Sequence, residues 1–184
     1  MPAKIILGPP GTGKTEYLLK RVEEELANGT YPNRIGYFAY TVKAADEART
    51  RAMNRFEELD KKDFLYFRTL HSLAFKQLGL SKDDVMGDAH YKELSSLLGI
   101  KLSNTNRRMD SFGTGMQDDI FAQVIDLSRA RNVSLRQQFQ EVGHLDCGWM
   151  KLKYIADGIT EYKKKRKLYD FTDMIIEFVA RAIL

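Results

Sequence analysis

Cysteine and histidine are scarce in this sequence of 184 residues. Cys147 is the only cysteine, so no intramolecular disulfide can form, and a lone thiol is a poor metal ligand. Among the three histidines, His90 and His144 have no partners at the spacing of a metal site. These shortages exclude a disulfide-stapled scaffold and give no indication of redox or zinc chemistry.

Long hydrophobic runs and a strong charge of one sign are missing as well. No run approaches the roughly 20 apolar residues that span a bilayer, and the apolar part of MPAKIILG is too short for a secretory signal. The sequence therefore predicts an intracellular protein without a membrane partner. The net charge is only +4, which favours polyanions weakly. The densest basic run, KKKRK at 163–167, is typical of a solvated helix face, with nucleic-acid contact as the alternative.

Apolar, β-rich runs alternate with helical patterns in the first 80 residues. Such alternation is typical of a parallel α/β sheet. In the second helical pattern Ala, Glu and Arg dominate, and Thr69 can cap the third. The predicted strands are residues 4–7, 34–41 and 63–69, and the helical patterns begin at Lys14, Lys43 and Leu70.

Beyond Gly79 the patterns are helical only. Residues 81–167 contain several helical periodicities and a polar, glycine-containing break at 103–115, but no convincing strand, which indicates an all-helical insertion. A capped amphipathic helix follows in 168–184. The aromatic residues of the helical stretch are predicted to be core residues, namely Trp149, Tyr154 and Phe139.

The segment GPPGTGKT matches the phosphate-binding pattern G-x-x-x-x-G-K-[ST] between an apolar run and a helix. Glycines let the backbone wrap a phosphate, while the amides and the helix N-terminus face its negative charge. Lys14 is expected to reach the β and γ phosphates, and Thr15 to ligate Mg²⁺. The sequence thus predicts binding of ATP with Mg²⁺. The assigned residues are Gly8, Pro9, Pro10, Gly11, Thr12, Gly13, Lys14 and Thr15.

One part of a P-loop ATPase is missing from the sequence. Hydrolysis requires an acidic residue after an apolar strand to hold Mg²⁺, usually with a neighbouring carboxylate that positions water. The chain has no run of four apolar residues followed by Asp-Glu or Asp-Asp. We therefore expect the chain by itself not to hydrolyse ATP.

Three further segments follow the P-loop in a fixed order: YTVKAADEARTR at 40–51, TLHSLA at 69–74 and DFTDM at 170–174. With the P-loop, they resemble the N-terminal part of superfamily 1A DNA helicases of the UvrD/Rep type. The corresponding family elements are F-T-x-K-A-A-x-E-x-x-x-R, T-[FL]-H-S-[FL]-A and D-F-x-D-[LM]. The resemblance covers nearly the whole chain and is weak between residues 80 and 165.

The resemblance implies an α/β, RecA-like P-loop NTPase fold with a partial parallel sheet and an all-helical insertion. Residues 1–80 would be the first part of the nucleotide-binding subdomain 1A, 81–167 the helical subdomain 1B, and 168–184 a returning helix of 1A. In the family the magnesium-binding Asp-Glu element follows this last helix. We therefore expect the chain to be an N-terminal fragment whose incomplete sheet exposes edges and favours self-association.

The resemblance also implies a motor that moves 3′ to 5′ along single-stranded DNA and unwinds duplex DNA by hydrolysing ATP. Tyr40 would stack on a base, Thr41 and Lys43 would lie near phosphates, and Thr69, His71 and Ser72 would contact the DNA backbone. The residues alone leave other interpretations open. Tyr40 could pack in the core, Lys43 could be solvated, and a histidine near a helix start is often a structural hydrogen-bonding group.

Two departures from the family pattern concern recognition of the base. The family usually has a segment before the P-loop with a Gln that reads adenine, and this sequence has almost nothing there. The family often has an Arg after the P-loop Thr, where this chain has Glu16. Two alternatives to a helicase motor remain at this point. One is another P-loop ATPase of the AAA+ type, and the other is a nucleotide-binding or DNA-binding module that never hydrolyses.

Overall fold

The structure is a computed structural model that describes residues 4–9, 11–102, 119–143 and 148–182. The predicted break at 103–115 lies outside the described residues, as do Pro10, His144 and Cys147. The chain divides into two units, Met1–Leu73 and Ala74–Leu184. No helix among the described residues has the length and apolar character needed to cross a membrane.

The first unit combines two short strands with helices. A 3₁₀ turn at Pro32–Arg34 precedes the first strand, and the division between the units falls within the third helix. The regular elements are α1 (Lys14–Ala27), β1 (Tyr37–Ala39), α2 (Val42–Arg55), β2 (Phe67–Thr69) and α3 (Leu70–Gln77).

The two strands pair in parallel, as the alternation of strands and helices predicts. Tyr37 lies opposite Phe67, and Ala39 lies opposite Thr69. Since the strands run in the same direction, the residues that follow Ala39 and Thr69 emerge at the same edge of the sheet. This edge brings together the N-termini of α2 and α3.

The predicted strand at residues 4–7 is wrong. These residues have no regular secondary structure, and Ile5 and Leu7 are 83% and 89% exposed. A strand needs a neighbour to pair with its backbone, and in the described part of the chain β1 and β2 pair only with each other. Self-association through the open edges of this sheet stays a prediction.

The core of the first unit forms where α1 and α2 meet. Small residues on α2, Ala48 and Ala52, are buried against Leu19 and Val22 of α1. Alanine at these positions lets the two helices approach closely, since it adds little volume between them. On the neighbouring strands, the rings of Tyr37 and Phe67 stack with centroids 5.2 Å apart.

The second unit is helical throughout its described part, apart from one parallel bridge between Val85 and Tyr169. This agrees with the helical patterns of residues 81–167. The elements are a 3₁₀ turn at Lys82–Asp84, α4 (Asp88–Leu98), α5 (Asp119–Ala130), α6 (Leu135–Val142), α7 (Trp149–Arg166) and α8 (Phe171–Ala182).

Two of the three aromatic residues predicted to be core residues pack as expected. Trp149 and Phe139 are half-buried, with ring centroids 5.7 Å apart. The prediction for Tyr154 is wrong, because this side chain is 58% exposed. Its neighbours Leu152 and Ile155 hold the buried face of α7, and the turn of the helix directs Tyr154 away from them.

The DFTDM segment forms the start of α8, where two aspartates cap the helix reciprocally. Asp170 Oδ1 accepts a hydrogen bond from the Asp173 backbone N–H at 2.7 Å, and Asp173 Oδ2 accepts one from the Asp170 N–H at 3.0 Å. Arg129 of α5 binds both oxygens of Asp170, at 2.7 and 3.2 Å. The motif residues therefore fix α8 to α5.

The basic run at 163–167 is only partly a solvated face. Lys163 is 11% exposed, and its Nζ lies 2.5 Å from Asp170 Oδ2 and 2.7 Å from Asp173 Oδ2. Arg166 forms an ion pair with Glu93 of α4. Two of the five cations thus hold the helical unit together, which the charge count alone does not reveal.

Candidate functional site

The loop at residues 8–15 has the backbone geometry that its glycines predict. Gly11 and Gly13 have φ angles of +81° and +77°, a left-handed conformation that side chains disfavour. A Cβ on Gly8 would lie 2.7 Å from Thr12 Oγ1, so a larger residue would displace the Thr12 side chain. Thr12 Oγ1 donates a hydrogen bond to the Pro9 carbonyl at 2.8 Å.

Helix α1 begins directly after Gly13, which has no side chain that could cap it. The N–H groups of the first turn have no partners within the helix and are available to an anion, and the helix dipole adds positive potential there. The site therefore has the features of a phosphate cradle.

Lys14 folds back over the loop that precedes it. Its Nζ donates hydrogen bonds to the carbonyl oxygens of Gly8 and Pro9, at 2.7 and 2.6 Å. Two backbone carbonyl oxygens of the loop thus hold the ammonium group in place. Phosphate oxygens could take the place of these carbonyls as its acceptors.

Thr15 connects the start of α1 to the first strand. Burial raises the pKa of the Tyr37 phenol, and a side-chain hydrogen bond with Thr15 partly opposes this rise. Within the described residues, no three His, Cys, Asp or Glu side chains group closely enough to hold a metal ion.

Glu16, which stands where the family often has an Arg, forms an ion pair with a residue of α2. Arg55, the last residue of α2, forms ion pairs with both Glu16 and Glu23 of α1. The Arg55 Nη2 to Glu23 Oε2 distance is 2.6 Å. Arg55 could not be identified from the sequence, because its two partners are 39 and 32 positions away along the chain.

The proposed DNA-contacting residues of the 40–43 segment lie at the edge where the strands end. Tyr40 is 72% exposed, which excludes the alternative that it packs in the core. Thr41 caps α2, because its Oγ1 accepts a hydrogen bond from the Ala44 N–H at 3.1 Å. Lys43 is exposed in the first turn of α2.

The residues after β2 share this edge. Thr69 is buried, and its Oγ1 accepts a hydrogen bond from the Ser72 N–H at 3.1 Å, so it caps α3 as predicted. Burial lowers the pKa of His71, since it disfavours the charged imidazolium. A neutral imidazole can still donate a hydrogen bond from its ring N–H.

The sequence analysis also missed Arg68, which precedes Thr69 in β2. Its Nε is buried and has no hydrogen-bond partner in the described part of the chain. A buried donor of this kind is costly, and only the structure reveals it.

The glycine loop before α1 and the parallel pair of strands are consistent with a fold of the P-loop class. The chain matches the family of UvrD/REP helicase N-terminal domains over residues 3–182, and it belongs to that family. The family has the P-loop NTPase fold and comprises ATP-dependent DNA helicases, so the AAA+ alternative is removed. No curated protein and no solved structure matches the chain.

Proposed function

We propose that the chain binds MgATP in the 8–15 loop as the first motor domain of a helicase that moves along single-stranded DNA. The observation that carries this proposal is the position of Lys14, whose ammonium group lies within a glycine loop at the start of α1. In this proposal Lys14 binds the β and γ phosphates. Thr15 provides a hydroxyl for Mg²⁺, which neutralises phosphate charge when bound.

Nucleotide binding without turnover is the activity that we assign to the chain by itself. Its 184 residues include no apolar run that ends in Asp-Glu or Asp-Asp. The carboxylates that would hold Mg²⁺ and position water must then come from elsewhere. The same observation keeps the non-hydrolysing binding module as the second candidate function.

We further propose that single-stranded DNA lies along the edge where β1 and β2 end. Tyr40 has an exposed aromatic side chain there, and Lys43, three residues further along the chain, has an exposed cation. A stacked base and a phosphate contact are the two elements of sequence-independent binding to single strands. Three further parts of the proposal are supported by membership of the family alone. They are movement from 3′ to 5′, unwinding of duplex DNA and an intracellular location.

Replacing Tyr40 by Ala tests the DNA path. Stacking of a base on an aromatic ring contributes about 1–3 kcal/mol, so Tyr40→Ala should weaken the binding of a labelled oligo-dT by about five- to a hundredfold. Fluorescence anisotropy at low salt measures this affinity.

Tyr31→Ala is the matched control for this experiment. Tyr31 is 71% exposed, nearly as much as Tyr40, but it precedes β1 and therefore lies away from the edge where the strands end. Its replacement should leave the affinity for oligo-dT unchanged. Equal losses for the two variants would contradict the proposed path.

A further inference from the structure

The ion pairs of Arg55 join the helix that starts at the cradle to the end of α2. Glu16 is the third residue of α1 and follows Thr15 directly, whereas Glu23 lies seven residues further along the same helix. Seven residues correspond to about two turns, or roughly 10 Å. The Arg55 side chain is 29% exposed, and its guanidinium binds two carboxylates, of which only Glu16 is next to the cradle.

Glu16 poses an electrostatic problem for a helix that binds phosphate. An acidic residue in the first turn interacts favourably with the helix dipole when no anion is bound. A nucleotide phosphate at the same helix terminus would be repelled by this carboxylate, because like charges about 10 Å apart still interact near a protein surface. Neutralising the Glu16 carboxylate would remove the repulsion and leave the first turn of α1 intact.

We propose that Arg55 is a positioning residue that neutralises Glu16 and thereby allows MgATP to bind at the 8–15 loop. This inference rests on the proposed nucleotide binding. Glu23 binds the second nitrogen of the guanidinium at 2.6 Å, whereas the first nitrogen binds Glu16, so the pair between Arg55 and Glu16 does not depend on Glu23. An arginine side chain stays protonated at any ordinary pH, and the hydrogen bonds to Glu16 and Glu23 raise the pKa of Arg55 further.

Four variants of the full 184-residue chain test this assignment: Arg55→Gln, Glu16→Gln, the double variant and Glu23→Gln. The measurement is the dissociation constant of MgATP by titration calorimetry at low salt. Arg55→Gln leaves the Glu16 carboxylate uncompensated and should weaken binding by about three- to tenfold, an effect that added salt reduces. In the double variant the repulsion is absent, and the affinity should return to within about twofold of the original chain.

Glu23→Gln is the matched control. It removes the same ion-pair chemistry from the same helix and changes the net charge by the same amount, but about two turns further from the cradle. We expect an unchanged affinity for MgATP. Thermal unfolding of each variant measures any loss of the α1 to α2 connection, which exposed ion pairs affect little.

The outcomes separate this role from the alternatives. If the double variant binds as weakly as Arg55→Gln, Arg55 contacts the nucleotide itself or only connects the helices, and the inference is overturned. Weaker binding by Glu23→Gln would likewise show that the ion pairs act through helix packing. If the original chain does not bind MgATP, the proposed function itself is contradicted. In that case the original chain and Lys14→Ala show the same absence of binding.

Discussion

Replacing Lys14 by Ala is expected to weaken the binding of MgATP by about ten- to a hundredfold. Charge-assisted hydrogen bonds contribute about 1.5–3 kcal/mol each, and Lys14 would form them with two phosphate groups. The fold should remain, because alanine has a high helix propensity at the start of α1. Titration calorimetry measures the affinity, and far-ultraviolet circular dichroism measures the helix content.

Lys20→Ala is the control for charge. Lys20 is exposed on the same helix, beyond its first turn, so its removal changes the net charge equally without touching the loop. An affinity that falls by the same factor in both variants would show that only overall charge matters. An unchanged affinity in Lys14→Ala would exclude the assigned cradle.

Asp170→Asn is expected to lower the free energy of unfolding by about 2–4 kcal/mol, because it leaves two largely buried cations with one fewer carboxylate. Asp170 is 8% exposed and binds both Arg129 and Lys163. Asparagine keeps an acceptor for the helix cap, so the change isolates the loss of charge. Urea unfolding followed by the fluorescence of the single tryptophan, Trp149, measures it in this unit.

The pH dependence of this effect follows from the ionisation of Asp170. Burial by itself would raise the pKa of Asp170, but the hydrogen bond from Arg129 and the charges of Lys163 and Arg129 lower it well below the ordinary value of 3.8. The carboxylate therefore stabilises the fold fully above about pH 4 and loses this contribution as the pH falls through the lowered pKa. The difference between the original chain and Asp170→Asn should shrink below about pH 4 and stay constant above about pH 5.

Asp157→Asn is the control for this charge effect. Asp157 pairs with Lys153 on α7 but is 62% exposed, so its loss should cost about 0.5 kcal/mol or less. A loss of similar size in Asp157→Asn and Asp170→Asn would contradict the importance of burial. A difference that does not change between pH 5 and pH 3 would contradict the assigned ionisation.

Local chemistry made several elements of the fold predictable. Thr69 caps α3 as the sequence predicts, and Asp170 caps α8, for which the sequence predicts a capped helix, since a capping side chain acts on amides only two or three residues away. The prediction of a strand at residues 4–7 is wrong, because apolar residues alone do not determine whether a strand forms. Strand formation depends on a partner elsewhere in the chain, and Ile5 and Leu7 have none among the described residues.

The candidate site likewise has parts that the sequence predicts and parts that it does not. The positions of Gly8, Gly13 and Lys14 are adjacent in sequence, so one motif predicts the whole loop. The edge with Tyr40 and Thr69 needed both the motifs and the parallel register of β1 and β2. Arg55 carries no local signal, because an arginine at the end of a helix is common and its partners are distant in sequence.

The sequence by itself determined the conformation of the glycine loop at residues 8–15, the start of α1 and the family of this chain, because these depend on residue types at short, fixed spacings. Only the tertiary structure decided which charges pair and which aromatic residues are buried. Lys163 of the basic run is largely buried, Tyr154 of a helical pattern is exposed, and Arg55 forms an ion pair with Glu16. The physical reason is that burial and ion pairing depend on which helix faces meet, and sequence spacing does not specify this for elements that are far apart along the chain.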